Sequence, residues 1–357
     1  MPWQLLHCFA PAFLFPRWIA SCAQLHLRLP VKCWKDFDVV MREALSRILG
    51  ANLGDQHWTQ ASLPVSMSGL GIRSAEKHSV AAFLGSISDS TDLMQRILRD
   101  FQFDFRLNFA TQIYSDAVGK TKTLGIDQVQ GCQKQLSNRI DNNSRDRFLA
   151  ILGQGRDQAR IGCLCLVNSS DWLNVVTNPA LGLHLHPAEL QSAVLYCLGF
   201  PLLKYGFCCC CSLPSDRYGD HAIACGVSGE RIAWHHLRDA LYHAALPAQL
   251  APRREERALL PGTDSRPADI SIPNWTAGED TAIDVTVVNP LRKDYISKTA
   301  ENPQFALNTV FEQKWKKYGP DCESQGLVFH PPPALTLAWG LAPSSLGRNK
   351  EIGRSHG

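Results

Sequence analysis

The chain has 357 residues, enough for two or three compact domains, and its 45% hydrophobic and 19% charged content excludes a disordered polymer. A formal net charge of +3 neither demands nor excludes a polyanionic partner, because an electrostatic footprint depends on local clustering. Thirteen cysteines, an odd number in a chain too long to need a disulfide framework, read as reduced intracellular thiols, some of them metal ligands.

Residues 3–23 are apolar, but no positive segment precedes them and Pro11, Pro16 and Arg17 interrupt them. A membrane span needs about 20 uninterrupted apolar residues, so the stretch reads as a buried helix or a ragged domain start. Residues 34–50 place Phe37, Val40, Met41, Ala44, Leu45, Ile48 and Leu49 on one helical stripe, closed by Gly50. After a turn-rich stretch at 60–72, Ser74 caps a second helix. Residues 92–166 read as further helices. Within them 128–147 is the least hydrophobic stretch, a linker or an exposed helix. Pro187 opens another helix and Gly199 closes it. Beyond residue 200 come a crowd of cysteines, a helix around 229–246, two strand-like runs at 268–275 and 281–288, and a last helix over 303–318. The expected divisions are a helical region (1–105), a helical connector (106–203), a metal knuckle (204–228), an α/β domain with a mixed sheet (229–330) and a loose tail (331–357). The fold class is α+β.

The segment 208–225 carries one candidate metal centre. One ligand pair comes from Cys208 or Cys209 with Cys211, and the other from His221 and Cys225 on one turn of a helix. Pro214 and Gly219 let the intervening residues loop back. Asp216 and Asp220 are candidates to orient the histidine. Four protein ligands leave no open position, so the expected role of Zn²⁺ is structural.

The second candidate is a hairpin. Ile270 and Ile272 alternate with Asp269 and Ser271, and Ile283, Val285 and Val287 with Asp284 and Thr286. Period two separates the apolar set from the polar one. Turn residues from Thr276 to Asp280 then predict an antiparallel pair with Asp269 and Asp284 sharing one face. Two such carboxylates suit Mg²⁺ or Mn²⁺, which would polarise a phosphodiester and activate water. Glu255, expected on a preceding helix, and Lys298 are the further catalytic candidates.

These residues resemble a known family. Arg266-Pro267-x-Asp269 followed by Asp284-Val285-Thr286-Val287 resembles the PD-(D/E)xK nucleases, and more narrowly the restriction-like endonuclease at the C-terminus of non-LTR retrotransposon proteins. In that group a CCHC knuckle precedes the nuclease, as Cys208 or Cys209, Cys211, His221 and Cys225 do here. An Arg-His helix follows it, which the helix with His235 and His236 resembles. Thr286 stands where the family's lysine often lies, so Lys298 is the expected displaced one. The stretches at 37–50, 57–87 and 157–173 resemble the thumb and connector that follow a polymerase palm. The chain has no adjacent aspartate pair of the palm type, so reverse transcriptase activity is not expected of it. The resemblance implies target-DNA nicking, DNA as partner with retroelement RNA as a second candidate, and nuclear or cytoplasmic residence. No membrane or small-molecule substrate is expected.

Two other functions compete. In the first, a non-catalytic zinc-dependent module binds nucleic acid through Arg292, Lys293, Lys314, Lys316 and Lys317, with Trp315 stacking on bases. In the second, the chain is an inactive remnant of such an element. Residues 229–318 carry twelve Lys and Arg against twelve Asp and Glu, a neutral balance that favours a localised site over a purely electrostatic binder.

Overall fold

A computed structural model describes residues 31–97, 105–123, 132–178, 184–256, 259–260, 266–276, 278–330 and 335–336. The apolar stretch at 3–23 and nearly all of the expected tail lie outside these residues. The helices are α1 (Val31–Leu49), α2 (Asp55–Ser62), α3 (Ala75–Ile97), α4 (Phe105–Ala117), α5 (Gln133–Ile151), α6 (Arg156–Leu164), α7 (Pro187–Leu198), α8 (Asp220–Ala224), α9 (Gly229–Ala245), α10 (Ile296–Glu301) and α11 (Phe305–Ser324). The strands are β1 (Gly206–Phe207), β2 (Pro214–Ser215), β3 (Arg253–Arg254), β4 (Ile270–Thr276), β5 (Glu279–Ile283), β6 (Val287–Val288), β7 (Val328–His330) and β8 (Leu335–Thr336). The chain is therefore α+β, mostly helical, and none of its described helices is long and apolar enough to cross a membrane. It divides into two compact units, residues 1–152 with 184–194, and 153–183 with 195–357. The expected division near residue 105 is not where the contacts separate.

The first unit is helical. In α1 the buried positions are Trp34, Asp38, Leu45 and Leu49, while Val40, expected on the apolar stripe, is exposed. The stripe turns toward Asp38 because that carboxylate has a task. It accepts the Ser74 hydroxyl (2.5 Å) and the backbone N–H groups of Ala75 (2.8 Å) and Glu76 (3.3 Å), closing orphan donors at the start of α3. The expected cap also forms, with Lys77 N–H donating to Ser74 Oγ (3.3 Å). Gly50 ends α1 at φ +60, where a side chain would be strained.

The low-hydrophobicity stretch at 128–147 is not a linker. Most of it forms α5, whose Leu136 and Ile140 pack with Val80 and Leu84 of α3 and Tyr114 of α4. Two apolar residues at i, i+4 suffice because the same face also buries Asp141, held by Arg73 (2.8 Å) and His78 Nε2 (3.1 Å).

The second unit holds the sheet. β3, β4 and β5 run antiparallel in that order and β7 joins β5 in parallel, so the four-stranded sheet is mixed. β6 and β8 form a separate parallel pair. The β4–β5 hairpin forms, with Ile270 opposite Ile283, Thr276 opposite Glu279, and Gly278 at φ +87 in the turn, but the expected run over 281–288 is divided: β5 ends at Ile283 and Val287–Val288 pair with β8 instead. Strand alternation sends the two kinds of residue to opposite faces. Ile270, Ile272 and Ile283 meet Leu241, Tyr242 and Ala245 of α9. Ala282 and Phe329 meet Trp315, Tyr318 and Cys322 of α11. The last helix runs past the expected end at 318 and through Pro320 to Ser324. Burial of Cys322 against this face offsets the cost of an internal proline.

Candidate metal centre and acidic site

The knuckle is too small to have a core of its own. β1 and β2 are two residues each and α8 is five. Their turn is drawn tight by Cys208 N–H to Leu213 O (2.8 Å) and Ser212 N–H to Cys208 O (2.9 Å), with Ser212 at φ +59. In a C-x-x-C turn the first and last thiols converge while the middle two face outward. Accordingly Cys208, Cys211, His221 and Cys225 bring one ligand atom each to within 4.8 Å of one another. Cys208 and Cys225 lie 3.9 Å apart at sulfur, and Cys211 Sγ is 3.2 Å from His221 Nε2. A tetrahedron of zinc–sulfur bonds has edges of about 3.8 Å, so this cluster suits a metal such as zinc. Cys209, the sequence alternative to Cys208, is exposed and outside the group, its sulfur 3.7 Å from that of Cys210. Hydrogen bonding from Ser228 leads the causes that hold the Cys225 thiol down, at about 6, which favours the thiolate a metal needs.

The two aspartates beside the ligands do not touch the histidine ring as expected. Asp216 accepts the backbone N–H groups of Tyr218 (2.8 Å), Asp220 (3.1 Å) and His221 (2.6 Å), fixing the start of α8. Burial raises its carboxyl, but these donors, that of His221 foremost, overcome it and leave the group below its ordinary value. Asp220 is instead gripped by Arg156 through two bonds (2.5 and 2.8 Å) and by the Tyr196 hydroxyl (2.9 Å). Its carbonyl accepts Asn289 Nδ2 (2.8 Å), which ties the metal helix to the segment after β6. Removing one partner of a buried ion pair costs about 3 kcal/mol, and Asp220→Ala is expected to lower unfolding stability by that order in denaturant titration. An unchanged midpoint would show that α8 does not depend on this tie.

The acidic site sits where β4 begins and β5 ends. Asp269 N–H donates to Ile283 O (2.9 Å) and Asp284 N–H to His330 O (3.2 Å), so sheet bonding fixes both backbones. Both residues fall on the α11 side of the sheet by alternation with Ile270 and Ile283, as the hairpin pattern predicts. Asp269 Oδ2 accepts the N–H of Val285 (2.6 Å), whose carbonyl accepts Trp234 Nε1 (2.9 Å). The two carboxyls act on each other electrostatically. Burial above all pushes the Asp284 carboxyl up to about 6. The neighbouring Asp269 adds to this, and Lys314 opposes it. Asp269 is also raised, again chiefly by burial. Neighbouring acids of this kind disfavour ionising together.

The acid pair has a resident partner the sequence did not assign. Lys314 of α11 reaches Asp284 at 2.8 and 3.2 Å. It was expected among the DNA-contacting lysines, whereas its ammonium lies in the acid pair. Lys298, the expected catalytic lysine, is seated over the Phe305 ring at 5.0 Å. Thr286, at the position of the family's usual lysine, has a buried hydroxyl without a hydrogen-bond partner among the described residues. Glu255 follows β3 rather than lying on a helix. Its N–H donates to Asp269 O (2.9 Å), and its carboxylate is held by Arg238 and Arg266. Arg292, Lys293, Lys316 and Lys317 are exposed. Trp315, partly buried, packs against the core beside Phe329 and over Gly319, where any Cβ would meet its ring at 2.9 Å.

No protein-family model matches the chain, and no curated protein matches it.

Proposed function

We propose that the second unit is a metal-dependent DNA endonuclease that nicks target DNA, with the arrangement of a restriction-like nuclease from the C-terminal part of a non-LTR retrotransposon protein. The observation that carries this reading is the meeting of Asp269, Asp284 and Lys314 on one face of a mixed sheet. Two hard carboxylates beside one ammonium leave a net negative pocket, which fits Mg²⁺ or Mn²⁺ with waters and a phosphate as further ligands. Bound there, the cation would polarise the phosphodiester and lower the pKa of an attacking water. Asp269 and Asp284 hold it. Val285 N–H fixes the Asp269 carboxylate and the sheet fixes both backbones, so the site is pre-organised. Lys314 offsets charge developing on the phosphoryl oxygens. The knuckle is the structural part of the same unit, and its zinc takes no part in the chemistry.

The raised carboxyl gives this reading a pH signature. The folded pKa of Asp284, about 6, exceeds its ordinary value of 3.8. The stability it contributes is therefore full below pH 4 and is lost as pH rises through 6, a loss on the order of 3 kcal/mol. A divalent cation reverses that loss because it binds the deprotonated pair. Thermal stabilisation by Mg²⁺ is accordingly expected to be small at pH 5, to grow through pH 6 and to disappear in Asp284→Asn. Stabilisation of equal size at pH 5 and 7, or its persistence in Asp284→Asn, would place the cation elsewhere.

A further inference from the structure

Glu255 is held in an unusual way for a surface carboxylate. Its backbone has φ +46, a left-handed conformation that favours glycine and is uncommon for other residues. From there its carboxylate pairs with Arg238 and lies 3.6 Å from Arg266. The two guanidinium groups come from different places, Arg238 from α9 and Arg266 from the segment leading into β4. Arg238 is braced by the Trp234 ring at 4.8 Å and by Asp239 at 2.9 Å, and its side chain is 11% exposed. Arg266 is 45% exposed and Glu255 40%. One guanidinium is thus braced and buried and the other half-exposed, with a carboxylate between them that solvent can reach. Its backbone is tied to that of the acid pair, since Glu255 N–H donates to Asp269 O (2.9 Å).

Arginine forks bind carboxylate and phosphate through the same paired N–H geometry. We propose that Arg238 and Arg266 form a clamp for a backbone phosphate beside the acidic site, and that Glu255 occupies the clamp as an internal stand-in until a phosphodiester displaces it. The clamp rests on the nuclease reading only for the identity of the phosphate's carrier. The stand-in keeps two cations satisfied in the free protein. It also sets a threshold that a single loose anion does not pass but a polyanionic strand does.

The test uses the full chain, zinc-loaded and without Mg²⁺ or Mn²⁺, so that no cleavage occurs. Glu255→Gln keeps size and hydrogen-bonding capacity and removes the charge. It is expected to bind a short labelled DNA duplex about fivefold more tightly than wild type with an unchanged log–log salt slope, because the clamp meets the same phosphate in both complexes. Adding Arg266→Gln is expected to undo the gain and to flatten the slope by about 0.9, the slope of one lost phosphate contact. Inorganic phosphate should raise the melting temperature of Glu255→Gln and leave that of wild type in place. Equal affinity of wild type and Glu255→Gln would overturn the clamp while leaving the nuclease reading intact. Weaker binding by Glu255→Gln would overturn the clamp too. Stabilisation of Glu255→Gln by phosphate, with no duplex binding by any variant, would uphold the clamp and overturn nucleic acid as its ligand.

Discussion

Cys211→Ser is expected to abolish zinc retention and to unfold the knuckle. The wild type should carry about one zinc per chain by atomic spectroscopy, since the cluster supplies one tetrahedral set. Two-residue strands and a five-residue helix cannot nucleate or hold their own hydrogen bonds. The metal therefore has to supply the free energy of this element, and structural zinc sites supply about 10–16 kcal/mol of apparent binding energy at neutral pH. The loss spreads beyond the knuckle. Asp220, next to the ligand His221, joins α8 to Arg156 of α6 and, through Asn289, to the end of the sheet region. A melting curve that moves down or loses its cooperative step in Cys211→Ser is the expected record. Cys209→Ser should retain zinc, because Cys209 lies outside the ligand group. Zinc lost in Cys209→Ser and kept in Cys208→Ser would reverse the assignment of the first ligand.

Lys314→Ala is expected to lower cleavage about 10²–10³-fold, the scale of removing one pre-placed charge donor from a transition state. The substitution also leaves Asp284 buried without its counter-charge. Because Lys314 pulls the Asp284 carboxyl down against burial, its removal raises that carboxyl further, and the acid limb of the cleavage profile should move to higher pH. Lys298→Ala should leave the rate within about twofold, since an ammonium resting on an aromatic face contributes at most modestly. A large loss in Lys298→Ala with none in Lys314→Ala would return the role to the lysine the sequence first pointed to.

That exchange of lysines shows what a sequence conveys and what it does not. Alternation across residues 269–287 is a local signal with period two, and it places Asp269 and Asp284 on one face. The His-x3-Cys pair and the nearby cysteines are equally local, so the metal cluster could be read. The choice of Cys208 over Cys209 could not, because it depends on the turn that Ser212 makes at φ +59. Lys314 comes from a helix thirty residues beyond Asp284, and no spacing rule connects them. A small neighbour such as Gly319 beneath Trp315 was the available hint that this helix face packs on a sheet rather than facing solvent. Asp38 and Asp141 were missed for another reason. Patterning treats charge as a mark of exposure, whereas these carboxylates are buried by capping α3 and by pairing with Arg73 and His78. Glu255 was near the right place with the wrong geometry. The strand that precedes it is two residues long, below what periodicity can detect.

The most direct test of the acidic site is nicking of supercoiled plasmid by the zinc-loaded chain with Mg²⁺ or Mn²⁺, beside Asp284→Ala. Conversion to open circles that needs the cation and is lost in Asp284→Ala is the predicted result. No nicking by the folded wild type, or equal nicking by Asp284→Ala, would contradict the nuclease reading.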